Sequence, residues 1–208
     1  MSTVAFRFDA PTHAYTLADT GQRLPNITSM LEQAGWVETL WFTEASRDRG
    51  TEVHRLVAQF DMGAIPAEDW KALASAYRGW LLAHEKLTAL VRPVWDGIEV
   101  PRVEPRYGFA GRIDRNGLVF GATAIAEVKT GPAHYKTVNG YYSSDHAIQT
   151  GLQALLLAPE VKLPPEAIKR FGWYLKENGR CVIEAHKDRR DIDEAKRIAK
   201  QYGAGPLL

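Results

Sequence analysis

Cysteine is almost absent. Cys181 is the only one in 208 residues, so no internal disulfide, iron–sulfur cluster or cysteine-rich zinc site can form. A reducing cytoplasm is the expected compartment. Long apolar runs are also missing. None approaches the roughly 18–20 residues that span a bilayer, and no membrane partner is expected. The start, Met1-Ser2-Thr3-Val4-Ala5-Phe6-Arg7, lacks the basic opening and apolar stretch of a secretory signal. Nor is one sign of charge in excess. The formal net charge is +1, so no global basic field announces nucleic acid. That does not rule nucleic acid out, because acidic metal ligands cancel basic contacts made elsewhere. Local basic clusters stand at 47–55, 169–170, 187–190 and 196–200.

What is present reads first as elements. Phe6-Arg7-Phe8 and His13 to Leu17 alternate, with Asp19-Thr20-Gly21 as a turn. Ser29 with Glu32 has capping-box spacing, and Gly35 is a helix stop. Helices are expected over 38–62 and 67–91, the second with Trp70, Leu73, Tyr77, Trp80, Leu81 and Leu87 as its apolar stripe. Strands are expected over 95–104, 107–114, 118–120 and 124–129, with Asn116-Gly117 as a tight turn. A polar, aromatic loop over 130–144 and a helix over 145–157, stopped by Pro159, come next. Strands over 168–175 and 180–186 then pair around Asn178-Gly179, and a last helix covers 191–202. No repeat, low-complexity segment or interdomain linker is visible. One α/β domain, 1–208, is expected, with a hairpin and helices in 1–93 and a sheet core with flanking helices in 94–208.

Three charged groups converge in the middle of this pattern. Asp114 follows Gly111-Arg112-Ile113, and Glu127-Val128-Lys129 ends the next apolar strand. Alternation puts Glu127 and Lys129 on one face and Val128 on the other. Two neighbouring carboxylates raise each other's pKa, and a hard divalent cation relieves them. Asp114, Glu127 and the Val128 carbonyl offer oxygen, and His54 offers nitrogen to the same ion. An imidazole ligand favours Mn²⁺ slightly over Mg²⁺. Lys129 would orient an attacking water and offset phosphate charge, and Gln149 would donate to a phosphate or position that water. Glu104, one strand earlier, is a candidate outer-shell ligand or second acid. Arg47, Gly50 or Thr51, and His54 recur at helical steps, so Arg47 or Arg49 is placed to face a phosphate. Gly50 weakens a helix by about 1 kcal/mol relative to Ala, a cost explained by close helix–strand packing or by close approach of substrate. His134-Tyr135-Lys136 with Tyr141-Tyr142 combines bases with aromatics, the pairing that stacks single-stranded bases. Trp36, Trp41 and Phe42 form either core or an apolar wedge.

Gly50 to His54, Asp114, Glu127-Val128-Lys129 and Gln149 occur in the order seen in the PD-(D/E)XK nuclease superfamily. Over roughly 28–157 the chain resembles its RecB-like and phage-type exonuclease branch, and the opening also resembles phage-type members, with an early His-x-Tyr hairpin and the Leu24-Pro25-Asn26-Ile27-Thr28 entry into the first helix. The resemblance implies a restriction-endonuclease-like core, a central mixed sheet flanked by helices with a helical N-terminal part. It implies catalysis by Asp114, Glu127, Lys129 and Gln149, with one or two Mg²⁺ or Mn²⁺ ions. Where the family carries tyrosine four residues after its glutamine, this chain has Gln153, taken as a substrate contact.

The expected activity is that of a metal-dependent deoxyribonuclease, an exonuclease at single- or double-stranded DNA ends in recombination, repair or phage DNA processing. A homo-oligomer or a recombination-protein partner is compatible with the resemblance. A structure-specific endonuclease of the same fold, a catalytically weak DNA-binding or assembly module, and a phosphoesterase of small nucleotides are the alternatives.

Overall fold

The computed structural model describes residues 4–37, 43–64 and 75–207. Three strands open it, β1 (Phe6–Asp9), β2 (Ala14–Leu17) and β3 (Arg23–Leu24), in the order β1-β2-β3. Tyr15 and Leu17 alternate inward from β2, and Leu24 joins them against Ala110 and Val103. The first helix, α1 (Ile27–Gln33), is capped three residues before the expected position. Asn26 is its N-cap: its side chain accepts from the Ser29 amide, and the Ser29 hydroxyl accepts from the Asn26 amide. The reciprocal bonds therefore belong to Asn26 and Ser29, not to Ser29 and Glu32. Gly35, at φ +75, does follow the helix as expected.

Next come α2 (Glu44–Asp61), capped by Thr43, and α3 (Arg78–Val91), preceded by a 3-10 turn at Ser75–Tyr77. The expected helical positions 38–42, with Trp41 and Phe42, and 67–74, with Trp70 and Leu73, lie outside the described residues. Trp36 is described and is core, 1% exposed.

The central sheet has five strands in the order β10-β9-β6-β5-β4. They are β4 (Val94–Glu104), β5 (Phe109–Val119), β6 (Ala122–Lys129), β9 (Lys169–Leu175) and β10 (Cys181–Ala185). All neighbours pair antiparallel except β6 and β9, which are parallel. A parallel pair needs a crossover. Here it is built from the hairpin β7 (Tyr135–Val138) and β8 (Tyr141–Ser144), then α4 (Asp145–Val161). The chain closes with α5 (Arg190–Tyr202), acidic in its first turn and basic in its last.

Helices cover both faces. Ile125 packs with α1, α4 and α5, whereas Val128 packs with Val53 of α2 and Trp80 of α3. This is the expected central mixed sheet flanked by helices.

Three local expectations are corrected. Asn116 and Gly117 are not a turn; both sit inside β5, paired with Ile125 and Ala124. Gly117 is there because a Cβ would lie 2.1 Å from the Val94 carbonyl oxygen. The turn is Phe120-Gly121, at φ +51 and +74, the left-handed pair that suits a two-residue hairpin. Residues 135–144 are a hairpin rather than a loop, turning at Asn139-Gly140 with φ +50 and +79. Pro159 does not stop α4, which continues to Val161 and ends at left-handed Lys162. A proline two residues from a helix end removes one backbone bond without breaking the helix.

Candidate active site

The site forms where the β5–β6 ladder stops. Register pairs run from Val119↔Ala122 to Arg115↔Ala126 and no further, so the amide of Val128 is left without a β5 carbonyl. The Asp114 carboxylate takes that place, accepting from Val128 N at 3.0 Å. The Glu127–Lys129 strand end and Asp114 are thereby tied together.

Alternation also breaks at Asp114. Phe109 and Ile113 face α1 and α4, yet Arg115 bonds Asp61 of α2, and Val119 packs on the α3 side. Residues two apart share a face in an unbroken strand, so β5 turns over between Ile113 and Arg115. On β4 the matching position is Glu99, between the pairs Ile98↔Arg115 and Val100↔Ile113, with φ +55. A left-handed glutamate in a strand is strained, and such strain gathers at functional sites. Gly111, just before the break, is fixed by packing: a Cβ would lie 2.6 Å from Ile27 Cδ1 and 3.0 Å from Leu156 Cδ1.

His54 comes from the middle of α2. Its Nδ1 lies 3.5 Å from Asp114 Oδ2 and 3.8 Å from Glu99 Oε1. One ligating atom each from His54, Glu99 and Asp114 fall within 4.8 Å of one another. Glu127 points to the α4 face. Its Oε1 accepts from Gln149 Nε2 at 2.5 Å and lies 3.0 Å from Lys129 Nζ, while its Oε2 accepts from Gln153 Nε2 at 2.6 Å. Lys129 also donates to Gln149 Oε1 at 2.9 Å. His54, Asp114, Glu127, Gln149 and Arg112 line one cavity of about 210 Å³. A larger groove of about 640 Å³ runs beside it between α2 and the tip of the β1–β2 hairpin, lined by Gly50, Thr51, His54, Glu99 and Arg112.

The electrostatics divide the acids. Burial raises the Glu99 carboxyl, but His54 and then Arg112 outweigh it, and it ends below its ordinary value. Burial, then the charge of Asp114, pushes the Glu127 carboxyl above the ordinary carboxylate range, and Lys129 only partly offsets this. Burial pulls His54 down, but Asp114 and then Glu99 outweigh it, and the imidazole ends above its ordinary value. Burial also opposes the charge on Lys129, yet Glu127 and Asp114 hold it up, so the amine is an ammonium at neutral pH. Carboxylate oxygens and one imidazole nitrogen are a donor set that fits a hard or borderline divalent cation.

Not every expected residue belongs here. Glu104 is a turn residue: its carboxylate accepts from the Tyr107 amide at 2.9 Å and from Arg106 Nε at 2.5 Å, at the β4–β5 connection. The acid that β4 brings to the site is Glu99. Gln153 is fully buried and donates to Glu127 and to the Arg112 carbonyl, so it holds a carboxylate instead of meeting substrate. Arg49 turns inward, its guanidinium 5.8 Å from the Trp80 ring centre, while Arg47 stays exposed one turn from Gly50. Gly50 is not demanded by packing, since a Cβ would make an ordinary 3.8 Å contact with Thr130 Oγ1. His134 is exposed, and its amide donates to Asp145 Oδ1 at 3.1 Å. Tyr135 and Lys136 alternate to opposite faces of β7. Glu99 was missed, and Gly97 was its only local signal, a glycine inside a strand pattern that marks a bulge. The register does slip between Trp95 and Gly97.

Among the described residues no helix is long and apolar enough to cross a membrane. A sequence model of the PD-(D/E)XK nuclease superfamily matches residues 28–205. Among curated proteins none matches the sequence significantly. Among solved structures the chain is similar to a Eubacterium rectale protein whose assignment as an exonuclease is provisional, at 14% identity and a TM-score of 0.47, over 83% of this chain and 69% of that one.

Proposed function

The chain belongs to the PD-(D/E)XK nuclease superfamily, and from that footing we propose that it is a metal-dependent deoxyribonuclease that shortens DNA from its ends, acting in recombination, repair or phage DNA processing. The observation that carries this reading is the small cavity shared by His54, Asp114, Glu127 and Gln149, with Lys129 hydrogen-bonded to Gln149 beside Glu127.

Asp114, Glu127 and His54, with the Val128 carbonyl, would hold Mg²⁺ or Mn²⁺, and Glu99 stands close enough to His54 and Asp114 to join them. When bound, such an ion polarises the scissile phosphate and lowers the pKa of its water. The rest falls to the chain. Lys129, its pKa held up by Glu127 and Asp114 against burial, would act as a charged donor to phosphate or water and not as a base. Gln149 bridges Lys129 and Glu127 and fixes the rotamers of both. Gln153, buried behind them, holds the second Glu127 oxygen. Arg112 Nε reaches Glu99 at 2.8 Å and lies on the cavity wall, where it faces an incoming phosphate. Action at ends, and not within the strand, rests on the resemblance to the exonuclease branch. We take residues 1–208 as one folding unit.

Digestion of 5′- and 3′-labelled single and double strands tests this, with Mg²⁺, with Mn²⁺ and with chelator. The expected result is metal-dependent shortening from one end, abolished by chelator and by Lys129→Ala. Equal rates for Lys129→Ala and the parent would end the assignment of Lys129. Discrete long fragments in place of a progressive ladder would move the reading to an endonuclease.

A further inference from the structure

Between the strand that carries Lys129 and the helix that carries Gln149, the chain inserts the β7–β8 hairpin, whose two faces differ. The inner face is docked. The Tyr141 hydroxyl and the Ser143 hydroxyl both donate to Asp191 Oδ1 at 2.7 Å, and Arg170 holds the other Asp191 oxygen at 3.1 Å. Tyr141 also meets Trp36 edge to face, and Val138 packs on the same core. The outer face carries Tyr135 and Tyr142. Their rings stack, with centroids 6.1 Å apart and planes 29° apart, and the residues are 51% and 64% exposed. The Tyr135 hydroxyl is fixed by Glu184 of β10, so the pair is held in place from below as well as along its strands.

A rigid aromatic pair left in water contributes little to the fold, because the hairpin is already docked by its other side. Its position is what gives it meaning. Tyr135 pairs directly with Ser144, the N-cap of α4. Facing strand residues lie about 5 Å apart at Cα, and Gln149 is five residues into that helix, a rise of roughly 7.5 Å. The platform therefore begins within about 13 Å of the Gln149 backbone, a few nucleotides from the cavity. A base offers a flat face to a tyrosine only when it is not already stacked and paired on both sides, which favours single strands over duplex.

Resting on the nuclease reading above, we propose that Tyr142 and Tyr135 form a base-stacking platform, and that the substrate class this site takes is single-stranded DNA. Recognition is of unpaired bases a few nucleotides from the phosphate being cut, with no preference for sequence, since every base has a face to stack.

The test is binding, done with chelator so that nothing is cut. A fluorescein-labelled oligothymidylate, an abasic strand of the same length and a duplex are each titrated with the protein and with its Tyr142→Ala and Tyr142→Phe variants. Tyr142 is exposed, so its truncation leaves the core intact. The expected result is thymidylate binding roughly tenfold weaker in Tyr142→Ala, abasic and duplex binding unchanged, and Tyr142→Phe equal to the parent. The proposal is overturned by thymidylate binding that Tyr142→Ala leaves unchanged, by an equal loss on the abasic strand or the duplex, or by a parent that does not distinguish thymidylate from the abasic strand. Cleavage by the parent in Mg²⁺ and Mn²⁺ is measured separately. No cleavage together with a base-dependent Tyr142 loss sinks the nuclease reading and leaves the platform standing, and the reverse pattern sinks the platform alone.

Discussion

Two clusters of charge meet at Glu99, each with a histidine beside an aspartate, and they have opposite outcomes. In the first, Asp61 lies between His84 Nε2 at 2.8 Å and Arg115 Nε at 2.6 Å, with the Asp61, His84 and Arg115 side chains 2%, 0% and 0% exposed. In the second, Asp114, Glu127, Glu99 and His54 face one small cavity and its neighbouring groove. Burial would raise Asp61 and Glu127 alike. For Asp61 the raising effect of burial is outweighed by His84 and then Arg115, and its carboxyl ends below the ordinary 3.8. For Glu127 burial is reinforced by Asp114, and its carboxyl ends above the ordinary 4.5. A buried acid whose charge its neighbours outweigh belongs to the scaffold. A buried acid that its neighbours leave unbalanced is waiting for something positive from outside the chain.

The largest effect should come from breaking the balanced cluster. Asp61→Ala strands Arg115 in the dry interior, with Glu99 as its remaining acidic partner at 3.2 Å. Removing one partner of a buried pair costs about 3–5 kcal/mol, so urea unfolding should show the unfolding free energy falling by that amount, as a lower midpoint with little change in slope. A depressed carboxyl contributes stability that is present above 3.8 and lost as pH falls through the folded value. The parent should therefore lose stability below about 3.8, and Asp61→Asn should lose less of it there. An unchanged midpoint for Asp61→Ala would place this cluster with the unbalanced one and dissolve the contrast.

How much of this was legible beforehand depends on the range of the signal. The alternation of Ile125, Glu127 and Lys129 against Val128 is local, and the sheet shows it as read. The helical repeat that put His54 one turn from Gly50 is local too. The break in alternation at Asp114 and Glu99 is not, because it needs the register of three strands and a left-handed backbone at a residue with no special propensity for it. Gln153 was read as a contact for substrate because its spacing from Gln149 fits one helix face, but which face is buried is decided by the sheet beneath. Glu104, one strand before Asp114, was read as an outer-shell ligand or a second acid. Turn chemistry claimed it instead, since a carboxylate at the end of a strand captures the first free amide after it. Asn116-Gly117 misled in the other direction: the dipeptide favours a turn, and packing against the Val94 carbonyl overrode it.

A smaller effect is expected on the unbalanced side, and its sign is opposite. A raised carboxyl contributes stability below 4.5 that is lost as pH rises through the folded value, and the raised His54 behaves likewise from its ordinary 6.5 upward. Metal-free protein should therefore soften as pH climbs from about 4.5 through neutrality, and Glu127→Gln should flatten that decline. Mn²⁺ or Mg²⁺ should restore what is lost, because ligands bind best once deprotonated. At a hundredfold excess over Kd the gain is about 2.7 kcal/mol, on the order of 5–10 °C for a chain of this size. Melting curves at pH 5 and pH 8, with and without each ion, read this out. A gain equal at both pH values, or one that survives Asp114→Asn, would mean that the ion binds elsewhere.

The smallest expected change separates scaffold from substrate most finely. Gly50 stands on α2 one turn before His54, on the wall of the groove, and an added Cβ would touch only Thr130 Oγ1 at 3.8 Å. Nothing in the fold requires a glycine there. Gly50→Ala should then gain about 1 kcal/mol from helix propensity alone, seen as a higher unfolding midpoint. If the glycine is kept so that a DNA backbone can approach the groove, the same variant should bind DNA more weakly while being more stable. A variant that gains stability and keeps full affinity would remove the first turn before His54 from the substrate path, and a variant that loses stability would return Gly50 to the scaffold.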